Sequence, residues 1–273
     1  MSLPKWAVKK ASTGDWRITN TPTLGLYQQV LVLEKQEDEA FAAMDAAKDD
    51  LEHNVAVVAV GKVRRDMLKL ILHPKDATDE RLRPLSVADM LEISSGTKWA
   101  GMENTPPISE FNFPAGYLAD DLPKGSLFRR GKHFKEGKAG RFIVVPVAQL
   151  PLRSRMHTDA IRKTWPTLPE GMAGKLAEPL GALEEALKVD KAVAKYAEEL
   201  KRGQFHNMHL LISHVVVPVT RSAYDETLAA ERAESFKHLP LHIAVGIANF
   251  FSKAAMLWNI ASVVSSRNDP AQA

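Results

Sequence analysis

Histidines are the side chains in this chain whose spacing comes closest to that of a metal site. His206, His209 and His214 lie near each other, and His238 and His242 are four residues apart, which would place two imidazoles on one face of a helix. However, Pro240 lies between the second pair, and the sequence has no His-Glu-x-x-His motif. The stretch around His206 has strand-like composition, so the odd separation would turn His206 and His209 to opposite faces. We therefore predict no metal site and interpret the histidines as hydrogen-bonded or surface residues.

The signatures of other enzymes are absent from the sequence. Residues 171–175 (GMAGK) lack the spacing of a phosphate-binding loop, and neither a GxGxxG nor a GxSxG motif occurs. Cysteine is absent, which excludes disulfides, thiolate nucleophiles and cysteine-based zinc sites. Four acids could form a carboxylate site but are more simply interpreted as solvated or salt-bridged residues: Glu103, Glu110, Asp120 and Asp121. The sequence thus predicts a non-enzymatic protein that needs no cofactor.

Positive charge is concentrated in one part of the chain. Residues 124–163 hold eleven Lys and Arg against two acids, a formal +9, whereas the whole chain of 273 residues carries +3. The remaining residues therefore sum to −6. Fields of this size steer polyanions or acidic protein surfaces. The first part, residues 124–141, is called the basic segment below, and its glycines permit a tight turn or a hairpin.

Three interpretations of the basic segment are open. As a nucleic-acid element, its cations neutralise phosphates while Phe128, Phe134 and Phe142 stack on exposed bases. As a β-hairpin arm, it docks on an acidic neighbouring protein and the phenylalanines anchor it. As a third alternative, it is a solvated loop. We favour the arm. The candidate nucleic-acid-binding or partner-binding residues are Phe128, Arg129, Arg130, Lys132, Phe134, Lys135, Lys138 and Arg141.

Short motifs around the basic segment resemble a pattern in tailed-phage virion-morphogenesis proteins of the neck and tail-completion type. The matching pieces are residues 95–96 (SG), 103–107 (ENTPP) and 140–146 (GRFIVVP). Asn104 stands where those proteins usually have glycine, and Val147 where they have an aromatic residue. The resemblance implies a non-enzymatic subunit of a ring or tube near the DNA exit channel of a virion.

The same resemblance sets expectations about partners and location. We expect a homo-oligomer that contacts other virion subunits, touches DNA or RNA only nonspecifically and does not enter a membrane. The expected location is the virion, and the host cytoplasm before assembly, which agrees with an N-terminus that lacks the apolar core of a secretory signal. The alternative function is a nucleic-acid-binding subunit of a ribonucleoprotein or DNA-processing complex.

Elements of both types are predicted along the chain. Strands are predicted at 26–34, 141–150 and 205–219, where β-branched and aromatic residues are dense. The apolar stretch 55–63 fits either a buried strand, which its β-branched residues and Gly61 favour, or a continuation of the preceding helix. Pro106, Pro107, Pro114 and Pro123 predict a loop before the basic segment.

Helices are predicted from spacing and capping residues. The predicted helices are 37–52, 87–94 with Ser86 as N-cap, and 183–200, ended by Gly203. The apolar stretch 239–264 is long enough to cross a membrane, but Lys253 near its middle favours a buried core or interface helix.

The predicted fold class is α+β, with a mixed N-terminal half that carries a basic, glycine-rich arm and a helix-rich C-terminal half. The predicted domains are a mixed α/β domain over 1–165, with an extended basic loop at 124–141, and a helix-rich domain over 170–273.

Overall fold

The computed structural model describes residues 6–95, 105–112, 141–145, 149–150, 152–165, 191–218, 233–234 and 236–250. These residues form helices and two small antiparallel sheets, and the C-terminal half is rich in helix, so the predicted α+β class is confirmed. The chain divides into two compact units. Unit 1 comprises residues 1–107 with 237–246, and unit 2 comprises residues 108–236 with 247–273.

Unit 1 begins with a β-hairpin. β1 (Trp6–Ala11) pairs antiparallel with β2 (Gly14–Thr19), and Gly14 closes the turn with a φ of 115°, a left-handed conformation that favours glycine. Trp16 and Ile18 alternate with more exposed residues of β2 and are buried. One face of this hairpin therefore packs on the core of the unit.

Two 22-residue helices follow and pack against each other as a helical hairpin: α1 (Leu24–Asp45) and α2 (Asp50–Ile71). Each begins with a capping side chain, since Thr23 and Asp49 each accept a hydrogen bond from the backbone N–H three residues later. The buried residues of α1 end at Glu37, and those of α2 begin at Ala56. Only the base of the helical hairpin therefore packs into the core.

Two shorter helices complete this part of unit 1: α3 (Asp79–Leu82) and α4 (Val87–Ser94). The Ser86 hydroxyl accepts from the Asp89 N–H, and the Asp89 carboxylate accepts from the Ser86 N–H, a reciprocal capping box. The helix predicted at 87–94, with Ser86 as its N-cap, is confirmed. The core cluster of the unit consists of Trp16, Ile18, Val30, Met67, Leu68, Ile71, Leu72, Leu82, Met90 and Ile93.

A segment from far along the chain completes unit 1. The N–H groups of Leu24 and Gly25 donate to the carbonyls of Leu239 and Lys237, at 2.8 and 2.7 Å. In return, the N–H of Leu241 donates to the Pro22 carbonyl at 2.9 Å. The first turn of α1 is thereby held by a segment more than two hundred residues away in sequence.

This contact makes Gly25 sensitive to substitution. A Cβ at Gly25 would lie 2.9 Å from Lys237 Cβ and 3.1 Å from the Lys237 carbonyl oxygen, closer than side chains pack. We expect Gly25→Ala to lower the free energy of unfolding by about 1–3 kcal/mol, because overpacking outweighs the better helix propensity of alanine. Urea unfolding followed by circular dichroism measures this change.

Gly61 provides the matched control. It also lies within a helix, but a Cβ there would meet only Val87 Cγ2 at 3.5 Å and Met90 Cε at 4.0 Å, which are ordinary contacts. Gly61→Ala should therefore raise stability by about 0.5–1 kcal/mol. A gain in stability for both variants would contradict the close approach of Gly25 to Lys237.

Unit 2 contains a three-stranded antiparallel sheet in the order β3-β4-β5. β3 (Glu110–Asn112) pairs with β4 (Arg141–Val144), and β4 pairs with β5 (Val216–Pro218). Phe142 lies in the central strand, is buried, and stacks on Phe111 with ring centroids 5.3 Å apart. The start of the strand predicted at 141–150 is thus confirmed at 141–144.

Unit 2 also contains α5 (Leu152–Lys163), α6 (Lys191–His206) and α7 (Met208–Val215). α7 packs against α5 and α6 and leads directly into β5. The helix predicted at 183–200 is confirmed from residue 191, but it continues past Gly203 instead of ending there. Residues 183–190 lie outside the described residues.

Two predicted strands are wrong. Residues 26–34 belong to α1, because Leu24, Tyr27 and Leu31 bury one helical face and this period outweighs the β propensity of the valines. Residues 205–219 are helical up to Val215, and only Val216–Pro218 pair in a sheet. The apolar stretch 55–63, left open by its sequence, is helical within α2.

The helix predicted at 37–52 is interrupted. α1 ends at Asp45 and α2 begins at Asp50, because the Asp49 side chain caps a new helix. The aspartate thus starts a second helix at the point where a single helix was expected to continue.

The compact units differ from the predicted domains 1–165 and 170–273. Unit 1 consists of residues 1–107 together with residues 237–246. Backbone hydrogen bonds between residues 22–25 and 237–241 join these two segments, and no local sequence pattern indicates that they do. Within the apolar stretch 239–264, residues 241–250 are helical and largely buried, and residues 251–264 lie outside the described residues. No helix in the described ranges is both long and apolar enough to span a bilayer.

Candidate interaction surface

A buried carboxylate, Asp76, is the first site that could carry chemistry. Its oxygens accept from the Arg17 backbone N–H at 3.1 Å and from Arg17 Nε and Nη2 at 2.7 and 2.9 Å. Arg81 forms a second ion pair with the same carboxylate. Hydrogen bonding to Arg17 lowers the pKa of Asp76 to about 2. A carboxylate held ionised between two guanidinium groups is a poor general base, so this cluster is a structural link.

Arg81 extends the link to the aromatic part of the core. Its guanidinium lies 4.2 Å from the centre of the Trp16 ring, a cation–π contact, and its Nη2 donates to the Asp15 carbonyl at 3.3 Å. The cluster therefore joins β2 to the α2–α3 connection.

A groove between α5 and α7 in unit 2 is the second site. It encloses about 330 Å³, and the His157 and His214 rings stack in it with centroids 4.9 Å apart. Asn207 Nδ2 donates to Thr164 Oγ1 at 3.2 Å in the same groove. Two imidazoles are fewer ligands than zinc sites supply. Across the described parts of the chain, no group of three or more His, Asp or Glu could hold a metal ion.

The histidines considered in the sequence lie in different settings. His206 and His209 belong to α6 and α7, so the strand expected around them is wrong, and His209 is buried 3.8 Å from Glu234. His238 lies in a turn and His242 in the following helix, so the pair does not share one helix face. Burial lowers the pKa of His242.

The free end of the helical hairpin offers a surface of a different kind. Residues 38–58, called the acidic tip below, extend beyond the last buried residue of α1 by about 12 Å, the rise of eight helical residues. The acidic tip contains one lysine, Lys48, and carries a formal −5. Its acids, all exposed, are Asp38, Glu39, Asp45, Asp49, Asp50 and Glu52.

The acidic tip also exposes apolar side chains. Leu51, Val55 and Val58 are 74%, 63% and 71% exposed. Their spacing of four and then three residues places them along one face of α2. We call these three residues the apolar stripe. The acidic tip thus combines a row of apolar side chains with a strong negative charge, which suits a protein contact better than a solvated helix end.

A buried ion pair marks where the acidic tip leaves the core. Glu37 of α1 pairs with Arg64 of α2, and both side chains are mostly buried. Arg64 also donates to Ser94 Oγ at 3.0 Å. Burial raises the pKa of Glu37, and the Arg64 charge opposes that rise. The pair fixes the two helices to each other at the base of the projection.

Most of the predicted site residues lie outside the described residues. These are Phe128, Arg129, Arg130, Lys132, Phe134, Lys135 and Lys138, together with the acids Glu103, Asp120 and Asp121. Arg141 lies in β4 and pairs with Asn112 of β3. Glu110 lies in β3. Phe142 was expected to stack on bases or to anchor an arm, but it is buried against Phe111 in its own sheet, because β4 is the central strand.

No family model, curated protein or solved structure matches this chain.

Two paired strands of unit 2 flank most of the basic segment along the chain. Asn112 and Arg141 are neighbours across the β3–β4 ladder, so the chain leaves and re-enters the sheet at adjacent positions. Most of the basic segment falls between these two residues in the sequence.

Sequence reasoning missed the acidic tip as a surface, although a signal for it was present. Asp49 with Glu52 three residues later is the pattern of a capped helix start, and it divides the predicted helix 37–52 into the two helices of a hairpin. The valines of 55–63 were considered as core residues, whereas Val55 and Val58 are exposed.

Proposed function

We propose that this chain is a non-enzymatic assembly subunit of a viral particle, in the neck or tail of a tailed phage, that works through contacts with further copies of itself and with other virion subunits. The observation that carries the proposal is the apolar stripe on the acidic tip. A single exposed valine is ordinary, but three apolar residues in a row on a two-helix projection favour protein contact.

The phage assignment is supported by the motifs on both sides of the basic segment. Residues 103–107 and 140–146 resemble neck and tail-completion proteins, and the second motif contains β4. A subunit of a ring or tube needs surfaces for neighbours and needs no catalytic centre. The Asp76 cluster supplies a structural link between β2 and the α2–α3 connection.

The test is the oligomeric state of the protein with and without the apolar stripe. Val55→Gln with Val58→Gln removes apolar area while keeping the charge and helix propensity of α2. Because each valine is about two-thirds exposed, burying both at an interface would contribute about 2 kcal/mol, so self-association should weaken roughly thirtyfold. Sedimentation velocity over a range of micromolar concentrations measures this loss.

Val32→Gln is the control variant, since Val32 is an exposed valine of α1 outside the acidic tip. It should leave the association constant unchanged. Negative-stain microscopy of the wild-type oligomers should show closed rings or tubes. A wild-type protein that stays monomeric throughout this range contradicts the proposal.

The charge of the basic segment favours one alternative, a nucleic-acid-binding subunit. That function requires affinity for DNA or RNA that falls with salt at a log–log slope of about −0.9 per phosphate contacted on duplex DNA. An assembly arm leaves only nonspecific affinity, of about 10⁻⁴–10⁻⁶ M at physiological salt. Submicromolar binding at physiological salt, lost when Arg129, Arg130, Lys132 and Lys135 become alanine while oligomers persist, would establish the alternative.

A further inference from the structure

We propose that the acidic tip of one copy docks the basic segment of a neighbouring copy. This inference rests on the proposed function, because it names the partner surface of a self-associating subunit. The site is the described end of the helical hairpin, residues 38–58, and the occupant is residues 124–141 of a second chain.

Charge complementarity is the first argument. The acidic tip carries a formal −5 on exposed side chains, and the basic segment carries seven Lys and Arg against one acid, a formal +6. These are the two opposite concentrations of charge in a chain whose net charge is only +3. Association between them nearly neutralises both surfaces and is accelerated by long-range attraction.

The apolar parts of the two surfaces also match. The apolar stripe stays exposed in a single copy of the chain, so each of its three side chains has area to bury. The basic segment supplies Phe128 and Phe134, and aromatic side chains are the residues that most often anchor interfaces. Phe142 is not available for this role, because it is buried in the sheet of its own unit.

The C-terminal end of the basic segment is fixed in the sheet of unit 2. Arg141 lies in β4, opposite Asn112 of β3. A segment anchored at one end loses less conformational freedom on docking than a wholly free chain does.

The proposed contact joins two different surfaces of the same chain. Made reciprocally by two copies, such a contact gives a twofold dimer, and made head to tail it generates closed rings or open filaments. The head-to-tail form is the kind of assembly that a neck or tail subunit needs.

A charge-swap experiment tests the contact. The tip variant carries Asp45→Lys and Asp50→Lys, and the segment variant carries Lys132→Glu and Lys135→Glu. The tip variant reduces the charge of the acidic tip from −5 to −1, and the segment variant reduces that of the basic segment from +6 to +2, so each should weaken self-association at least about tenfold at physiological salt. A chain with all four substitutions should lose less association than the two separate losses combined, because each half of the contact then has less opposite charge left to lose.

The control variant carries Asp15→Lys and Glu80→Lys, which make the same charge change at exposed residues of unit 1 away from the acidic tip. Glu80 lies in the first turn of α3 as Asp50 lies in the first turn of α2, so these two substitutions carry a similar helix-end penalty. This control should associate like the wild type, and circular dichroism should show all variants folded.

Several outcomes would overturn the inference. If the losses of the two variants simply added in the four-substitution chain, the two charged surfaces would not face each other. If both two-substitution variants kept wild-type oligomers, the contact would be absent while the proposed function stood. If they changed thermal stability without changing association, the segment would dock on its own chain. A monomeric wild type would refute the proposed function itself.

Discussion

Replacing Asp76 by alanine is expected to lower the free energy of unfolding by about 3 kcal/mol, because two guanidinium groups lose their buried partner. The Asp76 side chain is 3% exposed, whereas those of Arg17 and Arg81 are 39% and 38% exposed. Water can therefore rehydrate the two arginines in part, which places the loss at the lower end of the range for buried ion pairs. Urea unfolding at neutral pH measures it.

The same carboxylate gives a defined dependence on pH. Its pKa is lowered from 3.8 to about 2 in the folded protein, so its contribution to stability is fully present above the unfolded value and is lost as the pH falls toward 2. This contribution is about 2 kcal/mol. Asp76→Asn should lose stability at neutral pH and show a flatter profile between pH 4 and 2 than the wild type.

Exposed acids of the same unit are the controls for Asp76. Asp15→Ala and Glu80→Ala remove a carboxylate that faces solvent, so each should change stability by less than about 0.5 kcal/mol. A loss at Asp76 no larger than at these positions would contradict the role of the cluster as the link between β2 and the α2–α3 connection.

The second large effect is expected at the buried pair of Glu37 and Arg64, and it should be asymmetric. Glu37→Met leaves a guanidinium mostly buried without a carboxylate, at a cost of about 3 kcal/mol, because arginine cannot lose its charge at neutral pH. Arg64→Met should cost less, because a carboxyl whose pKa is already raised by burial can take up a proton.

A double-mutant cycle and a pH series check this asymmetry. The protein with both residues changed to methionine should regain most of the stability lost in Glu37→Met, since no charge is then left in the low-dielectric site. Without Arg64, the pKa of Glu37 in the folded protein lies further above its pKa in the unfolded chain. The free energy of unfolding of the Arg64→Met variant should therefore fall as the pH rises from the unfolded pKa to the folded pKa. Equal costs for the two single substitutions, with no recovery in the double variant, would contradict the argument.

The elements predicted correctly are those whose signal lies within a few residues. Ser86 and Asp89 define the start of α4 by themselves, and the β-branched residues of 141–144 indicate β4. Residues 26–34 of α1 were assigned to a strand because Val30 and Val32 have high β propensity, although the helical period of Leu24, Tyr27 and Leu31 was present. Composition was given too much weight there, and periodicity too little.

The parts that could not be predicted depend on contacts between distant residues. No local pattern indicates that Leu24 bonds to Leu239, so the boundaries of the units were inaccessible from the sequence. The burial of Phe142 depends on β4 lying between two other strands, which its own sequence does not reveal. For the acidic tip, the negative charge of residues 38–58 could be predicted from the sequence. The exposure of Val55 and Val58 could not, because it depends on how α1 packs against α2.

The late segment that completes unit 1 has a consequence for synthesis on the ribosome. The first 107 residues emerge well before residues 237–241 exist to bond with 22–25. At about 5–20 residues per second, the nascent N-terminal unit waits on the order of ten seconds for its missing piece. During this interval Leu24 lacks part of its final surroundings, so the growing chain offers an apolar site that a ribosome-associated chaperone would recognise.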